Sequence, residues 1–411
     1  MTATVPPTRA AGIARLQSFL PRAGRAYAAR RNHDLGPGDR ANVSGLGPYV
    51  RHRLVTEAEV VRAALGAHGL GAAEKFVQEQ FWRTYWKGWL ELRPRVWTDW
   101  RDGAAAALRS LEADAALADR HAAALAGRTG IDCFDAWVAE LRDTGYLHNH
   151  ARMWFASIWI FTLRLPWELG AALFLRQLLD GDPASNTLSW RWVGGLQTVG
   201  KTYLARRANI REYTGGRFDP PDLATDAPPL LGPAPPAPGP LPAPPPPDPT
   251  LPTGLLLHQE DMAAEDMMRE DLGISVAPSA IAVLPADVAS PAGGDFAPAV
   301  QAWRTAALAD MAGRAGARFG VAPVTLPVTF DEAAAVDWAR AAGLRQVLTP
   351  YAPVGPTADR LAALESVLAP AGIRLVRVLR PYDRACWPHA TRGFFAFKEK
   401  IPALIRQLAL D

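Results

Sequence analysis

Residues 144–192 read Thr144-Gly-Tyr-Leu-His-Asn149-His-Ala-Arg152-Met153, then an aromatic apolar run, then Leu179-Asp180-Gly-Asp182-Pro-Ala-Ser-Asn186-Thr-Leu-Ser-Trp190-Arg-Trp192. An amide and a guanidinium stand three apart, two carboxylates flank a glycine, and two indoles flank an arginine. A packed core seldom gathers fixed polar groups beside indoles unless something polar and aromatic sits among them. Taken alone, Asp180-Gly-Asp182 suits a turn leading into a helix cap. In this company it reads as the wall of a pocket.

Working outward, the first half of the chain predicts helices. A lead-in helix covers Ile13 to Tyr27 and ends at a Gly/Pro/Asp-rich turn, Asp34 to Asp39. Thr56 with Glu59 forms a capping-box pattern before Val60, Val61, Ala64 and Leu65. Phe76, Phe81, Tyr85, Trp86 and Trp89 fall on one face of a helix from Glu74 to Leu92. Further helices are expected over Ala104 to Ala126 and Cys133 to Thr144. Of the 14 Trp, 11 lie between Trp82 and Trp192; they make either a Trp-heavy core or an aromatic cofactor pocket.

Composition changes abruptly at residue 220. Nearly half of residues 220–252 are proline, including Pro244 to Pro247. Each fixes φ and lacks a donor, so the stretch predicts a semi-rigid polyproline linker and neither helix nor central strand. Beyond it, Leu255 to Gly273 reads as an amphipathic acidic helix. Strands over Ser279–Leu284, Val324–Val328, Gln346–Leu348 and Arg374–Leu379 then alternate with helices over 296–315, 331–342 and 357–370, before a closing helix over 394–409. That alternation predicts a small parallel α/β sheet. None of the strands runs into a glycine-rich nucleotide-binding loop. The expected organisation is an all-α part over 1–219, a Pro-rich linker over 220–253 and an α/β domain over 254–411.

The chain has 411 residues, 49% hydrophobic and 21% charged, with a net charge of +3. The charge is uneven: residues 1–218 carry 29 Lys/Arg against 20 Asp/Glu, and residues 219–411 carry 15 against 21. A basic first half is compatible with a polyanionic partner. Cys133 and Cys386 have no metal-ligand spacing and are expected to be free and buried, and no metal site is read. No apolar stretch approaches the ~20 residues of a membrane span, and a cytoplasmic location is expected.

The first half resembles the flavin-binding helical domain of the DNA photolyase and cryptochrome family. The resemblance is carried by Glu79 before Trp82-Arg83, Thr129-Gly-Ile-Asp-Cys-Phe-Asp135, Gly145 to Met153, Leu179 to Asn186, and Trp190-Arg-Trp192. It implies an N-terminal all-α FAD-binding domain of photolyase type and FAD as cofactor. Tyr27, Ser44, Leu46, Asn149, Arg152, Asp180, Asp182 and Asn186 are then expected around that cofactor. An arginine near the flavin ring favours negative charge there, and a carboxylate accepts its N–H and hydroxyl donors. By the same resemblance, Glu79, Trp82, Asn149, Met153 and Trp192 would line the substrate pocket, and Trp190, Trp167 and Trp100 would relay electrons. Glu79 has an alternative as the i,i+4 partner of Arg83. The family's phosphate segment Thr-Ser-x-Leu-Ser is here Val43-Ser44-Gly45-Leu46-Gly47, with one hydroxyl kept.

The activity implied is light-driven splitting of cyclobutane pyrimidine dimers in DNA by electron transfer from reduced flavin. The alternative is a cryptochrome-like blue-light sensor with a protein partner. The family places its α/β antenna domain before the flavin domain, whereas here an α/β segment follows, as if permuted. An antenna chromophore in that segment is open.

Overall fold

The computed structural model describes residues 5–267, 276–327 and 332–411. The first part is helical: α1 (Arg9–Phe19), α2 (Arg25–Arg30), α3 (Gly47–Arg51), α4 (Glu57–Glu91), α5 (Arg95–Ala113), α6 (Ala115–Ala126), α7 (Asp132–Thr144), α8 (Asn149–Ser157), α9 (Trp167–Gln177), α10 (Pro183–Val193) and α11 (Arg207–Tyr213). The expected capping box starts α4: Thr56 Oγ1 accepts from the Glu59 N–H, and Glu59 Oε2 accepts from the Thr56 N–H at 2.8 Å. The expected lead-in helix over Ile13 to Tyr27 is interrupted instead, by a tight turn at Leu20–Arg22 and by Gly24. The helix expected over Ala104 to Ala126 breaks at Asp114, whose carboxylate caps the next helix through the Leu117 N–H. The aromatic helix is the second half of α4, which runs on from the capping box through a kink at Gly69 (φ 66°, ψ 164°) that glycine alone adopts readily. A single π-turn, Ile158–Thr162, follows α8.

The second part is an all-parallel five-stranded sheet in the order β3-β2-β1-β4-β5, where β1 is Thr253–Leu257, β2 Ala280–Val283, β3 Pro323–Thr325, β4 Gln346–Pro350 and β5 Arg374–Val378. Helices α12 (Pro298–Phe319), α13 (Glu332–Ala341), α14 (Pro356–Leu368), α15 (Pro381–Cys386), α16 (Phe394–Lys398) and α17 (Ile401–Gln407) surround it. Three expectations change. Residues 253–257 are a strand, not the start of an acidic helix; the chain then turns through 258–263 into a short 3-10 turn at Ala264–Met267, and residues 268–273 of that expected helix lie outside the described residues. The closing helix is two short ones, α16 and α17. The strand expected at Val324–Val328 is described only as Pro323–Thr325, and residue 328 is outside the described set.

Strand alternation sorts the sheet's side chains between two cores. Leu255, Leu257, Ile281, Val283, Leu348 and Val376 join one continuous core with the helical part. Leu256, Ala282, Val347 and Leu375 pack on the opposite face with Val336, Leu361 and Leu364 of α13 and α14. Cys133 and Cys386 are free and buried.

Residues 220–252 form neither helix nor strand, yet they lie on the body as a strap rather than as a free spacer. The Thr162 hydroxyl accepts from the Ala224 N–H, Leu230 N–H donates to Gly194 O, Arg93 Nε donates to Pro236 O, and Gly239 N–H donates to Leu92 O at 2.8 Å. Proline cannot pair in a sheet, but its carbonyls remain acceptors, and the non-proline residues between supply donors.

The sheet order reverses beside β1, whose neighbours are β2 and β4. In open parallel sheets the crevice at the carboxyl ends of such strands is where ligands bind. Here the helical part fills it. Arg51 (2% exposed) donates to both oxygens of Glu260 at 2.5 and 2.8 Å, and Thr357 Oγ1 and His258 complete the contact. Beside it, Arg53 pairs with Asp383 (2.7 Å), Glu57 (3.1 Å) and Asp261 (3.4 Å), and Arg380 holds Asp261. Arg53 has φ 53°, a costly conformation for a residue with a Cβ, fixed here by three carboxylates. Glu91 accepts from Tyr351 Oη and from the Val354 N–H, both at 2.6 Å.

Burial alone would raise the carboxyl groups of Glu260 and Asp261, but Arg51 and Arg380 outweigh it and hold each at about 2. Their folded values lie below their unfolded ones. The stability they contribute is therefore present above about pH 4 and is lost as pH falls through about 2. Urea titrations of Glu260→Gln at neutral pH are expected to show a loss of about 3–5 kcal/mol, because Arg51 is left buried without its counter-charge. The double variant Arg51→Met/Glu260→Leu, which removes both charges, is expected to recover most of that loss.

Candidate functional site

Asp180 and Asp182, on the loop before α10, are met by Arg152 of α8, Arg51 of α3 and Lys87 of α4. Asp182 caps α10: its Oδ1 accepts the Ser185 N–H at 2.7 Å, and Pro183 starts the helix where no donor is needed. Arg51 Nε donates to Gly181 O at 2.8 Å and lies 3.6 Å from Asp182. Lys87 is 3.9 Å from the same carboxylate. Against the burial that would raise it, Lys87, Arg51 and Arg83 hold the Asp182 carboxyl far below the usual carboxylate range. Asp182 is thus an ionised, buried acceptor (2% exposed).

Two residues earlier in the loop, Asp180 receives both of its hydrogen bonds from Arg152, at 2.9 and 3.1 Å. Arg152 Nε is anchored on Leu147 O, and its guanidinium lies 5.7 Å from the Tyr146 ring centroid, with Arg40 at 4.1 Å from the same ring. Asp180 also explains one departure in the phosphate segment. A Cβ on Gly47 would sit 2.5 Å from Asp180 Oδ2, so a serine there requires the Asp180 carboxylate to shift. Ser44 Oγ accepts the Leu46 N–H within its own turn, Leu46 is core, and half-buried Tyr27 packs edge-on against Phe19 and Phe76.

Asn186 is buried, with its amide donating to Ala171 O at 2.7 Å; the side-chain oxygen is the part left to meet a donor. Asn149, expected beside the same ligand, is exposed at the start of α8, and Met153 is half-buried one turn on. Glu79 is half-buried, 3.7 Å from Arg31, and makes no ion pair with Arg83. Its walled position raises its carboxyl above the usual value through lost solvation, with Arg31 and Lys75 pulling the other way. Trp82 stacks flat on Phe394 (3.5 Å between centroids, 13° between planes), so α16 covers one indole face. Trp192 stacks on Tyr203 at 5.6 Å.

Trp190 is buried among Phe174 (5.2 Å), Trp159 (6.2 Å) and Phe155 (6.4 Å). The indole in ring contact with it is Trp159, on the π-turn. Trp100 is buried, donates to the carbonyl of Glu168, the residue after Trp167, and lies 4.7 Å from Trp97 between ring centroids. Arg207, on the basic segment after Trp192, is bound to Asp219 at 2.6 and 2.8 Å beside a surface hollow of about 470 Å³.

A family model described as the FAD binding domain of DNA photolyase matches residues 76–221. Those residues are similar to the FAD-binding domain of DNA photolyase. Similar proteins include the deoxyribodipyrimidine photo-lyase of Streptomyces griseus, 37% identical over 40% of this chain and 34% of the relative. A deoxyribodipyrimidine photo-lyase of Thermus thermophilus is 33% identical over 52% of this chain and 48% of the relative. The chain therefore spans between a third and a half of these relatives. Among solved structures, a bacterial class III photolyase from Agrobacterium tumefaciens aligns with a TM-score of 0.40 at 24% identity, covering 51% of this chain and 43% of that one. The cryptochrome of Synechocystis sp. PCC6803 aligns with a TM-score of 0.41 at 21% identity, covering 50% and 43%.

The photolyase domain's cofactor is FAD, and the residues here fit it. Arg83 Nη1, Ser185 Oγ and Thr187 Oγ1 are buried polar atoms without a hydrogen-bond partner, as is Lys87 Nζ, which has only the ion pair with Asp182. Such groups are costly to bury unless a ligand or ordered water meets them. Arg83, Lys87, Tyr146 and Arg51 were not singled out from sequence as site residues. Arg83 had a signal, its place in the Trp82-Arg83 pair, and Arg51 had none.

Gly170 sets the contact of the two indoles. A Cβ there would lie 2.3 Å from the Trp190 ring and 3.0 Å from Trp159 Nε1. Gly170→Ala is expected to displace Trp190, at a cost of about 1–3 kcal/mol. Chemical denaturation and a change in near-ultraviolet circular dichroism would report it; an unaltered spectrum with unaltered stability would contradict this packing.

Proposed function

We propose that the protein is a FAD-dependent, blue-light-driven lyase that splits pyrimidine dimers in DNA, acting on a lesion turned out of the strand. Relatives named deoxyribodipyrimidine photo-lyase support the class of reaction. The observation that carries the reading is Glu79. It stands one helical turn before Trp82 on α4, half-buried, with its carboxyl raised by its surroundings. A raised carboxyl holds its proton more readily than an ordinary glutamate, and the acid form donates a hydrogen bond to a base carbonyl where the carboxylate cannot.

Bound FAD supplies the photoexcited electron donor. The protein's own groups do the rest. Arg152 and Asp180 present a fixed cation–carboxylate pair, so a polar ring edge finds donor and acceptor already oriented. Asn186 offers an oxygen toward a ring N–H and supplies no acidic proton. The free face of Trp82 and the side of Trp192 away from Tyr203 give an extruded base apolar surface, with stacking on the order of 1–3 kcal/mol per base to offset its loss from the duplex. Exposed Arg206 and Arg211 on the rim supply phosphate contacts that position the strand without reading it. Trp190 with Trp159 forms the start of an electron path inward to the cofactor. We assign the parallel sheet a bracing role, since Arg51 and its partner Glu260 occupy the crevice beside β1.

A second reading, a cryptochrome-like sensor with a protein partner, is favoured by the covering of one face each of Trp82 and Trp192. The two separate cleanly. With a thymine-dimer oligonucleotide under blue light, the lyase reading expects dimer loss, slowed roughly 10²-fold by Glu79→Ala. It also expects a rate that falls as pH rises through the raised Glu79 value, because the donating form is the acid. Light-dependent absorbance changes without any dimer loss would leave the sensor.

A further inference from the structure

Residues 43–47, which the resemblance assigns to the cofactor's phosphates, lie outside residues 76–221, and the hydroxyls expected there are reduced to Ser44. The turn left in its place has unusual features. Gly45 adopts φ 64°, the left-handed region. Ser44 Oγ is committed to the Leu46 N–H. The N–H groups of Ser44, Gly45 and Gly47 have no protein acceptor among the described residues. Successive free N–H groups around a left-handed residue make a concave site for an anion.

Across the turn lies Arg15 from α1. Its Nε donates to Ser44 O at 2.5 Å, and its Nη2 lies 2.8 Å from where a Gly45 Cβ would be. The guanidinium thus occupies the space that a side chain at position 45 would take. Arg15 is half-buried, and among the described residues no carboxylate pairs with it. The other buried or half-buried arginines nearby are committed: Arg9 to Glu59, Arg51 to Glu260 and Arg152 to Asp180. An arginine anchored by Nε alone, with its remaining donors open beside free backbone N–H groups, is arranged for an oxyanion.

We propose that Arg15 and the Ser44–Gly47 turn hold the pyrophosphate of FAD, the charge from α1 replacing the missing hydroxyls. The inference rests on the flavin reading above. Gly45 is part of the device, because any Cβ there would push the guanidinium off the turn.

The test is flavin binding by the full chain after removal of endogenous cofactor, followed by flavin fluorescence. FAD, which carries the pyrophosphate, is compared with riboflavin, which carries no phosphate. Arg15→Gln is expected to weaken FAD by about 10- to 100-fold while leaving riboflavin unchanged, as for loss of a charge-assisted contact. Arg15→Lys is expected to recover part of the loss, and the salt dependence of FAD binding is expected to flatten in Arg15→Gln. Unchanged FAD affinity in Arg15→Gln, or equal weakening of riboflavin, overturns the assignment. If the wild-type chain binds riboflavin but not FAD, the pyrophosphate site fails while the flavin pocket stands. If it binds neither, the flavin reading itself fails.

Discussion

Arg51 is a full positive charge with almost no access to water, and the rest of the molecule is arranged around satisfying it. Leaving such a group unpaired costs several kcal/mol, so its partners are not optional. Glu260 reaches it from the turn after β1, and Asp182 and the Gly181 carbonyl reach it from the loop before α10. One side chain thereby ties the carboxyl end of the sheet to the loop that carries Asp180 and Asp182. Arg53, two residues on, repeats the pattern with Asp261 and Asp383. The sheet and the helices share an apolar core, but an apolar core has no directional preference. The ion pairs fix how the two parts sit against each other.

That arrangement changes what the α/β part is for. A parallel sheet with a reversal beside β1 has a ready crevice, and a ligand there is the ordinary expectation. Arg51, Thr357 and the His258–Glu260 turn occupy that crevice. Through Arg51 the sheet is tied to Gly181 and Asp182 of the helical part. The proline strap serves the same end, since its carbonyls and few N–H groups are spent on Arg93, Thr162, Gly194 and Leu92, and it lies along the helices instead of separating them from the sheet.

What was legible in the sequence follows from the range of the interactions. Thr56 and Glu59 sit three apart, and their capping box formed as read. The alternation of short β-rich runs with helical patterns pointed to the parallel sheet. Residues 253–257 misled because a strand buried on both faces is a continuous apolar run, which periodicity cannot tell from a helix. The acidic residues after it suggested a solvated helix face, yet Glu260 and Asp261 are acidic because Arg51 and Arg53 wait for them. A pairing across 209 positions leaves no trace in local spacing. The site shows the same limit. Arg152 and Asp180, both singled out in the sequence, pair directly, while Asp182 and Asn186 make separate contacts with Ser185 and Ala171. Asn149, placed by motif alone, turned out to be exposed. The indole next to Trp190 depends on Gly170 and on the π-turn at 158–162, neither of which announces itself in sequence.

The central claim is that these residues enclose a flavin. An absorption spectrum of the purified full chain tests it most directly. The account predicts bands near those of oxidised or reduced flavin, with about one FAD released per chain on denaturation, either as purified or after incubation with FAD. A colourless protein that takes up no FAD, while remaining folded, would contradict it.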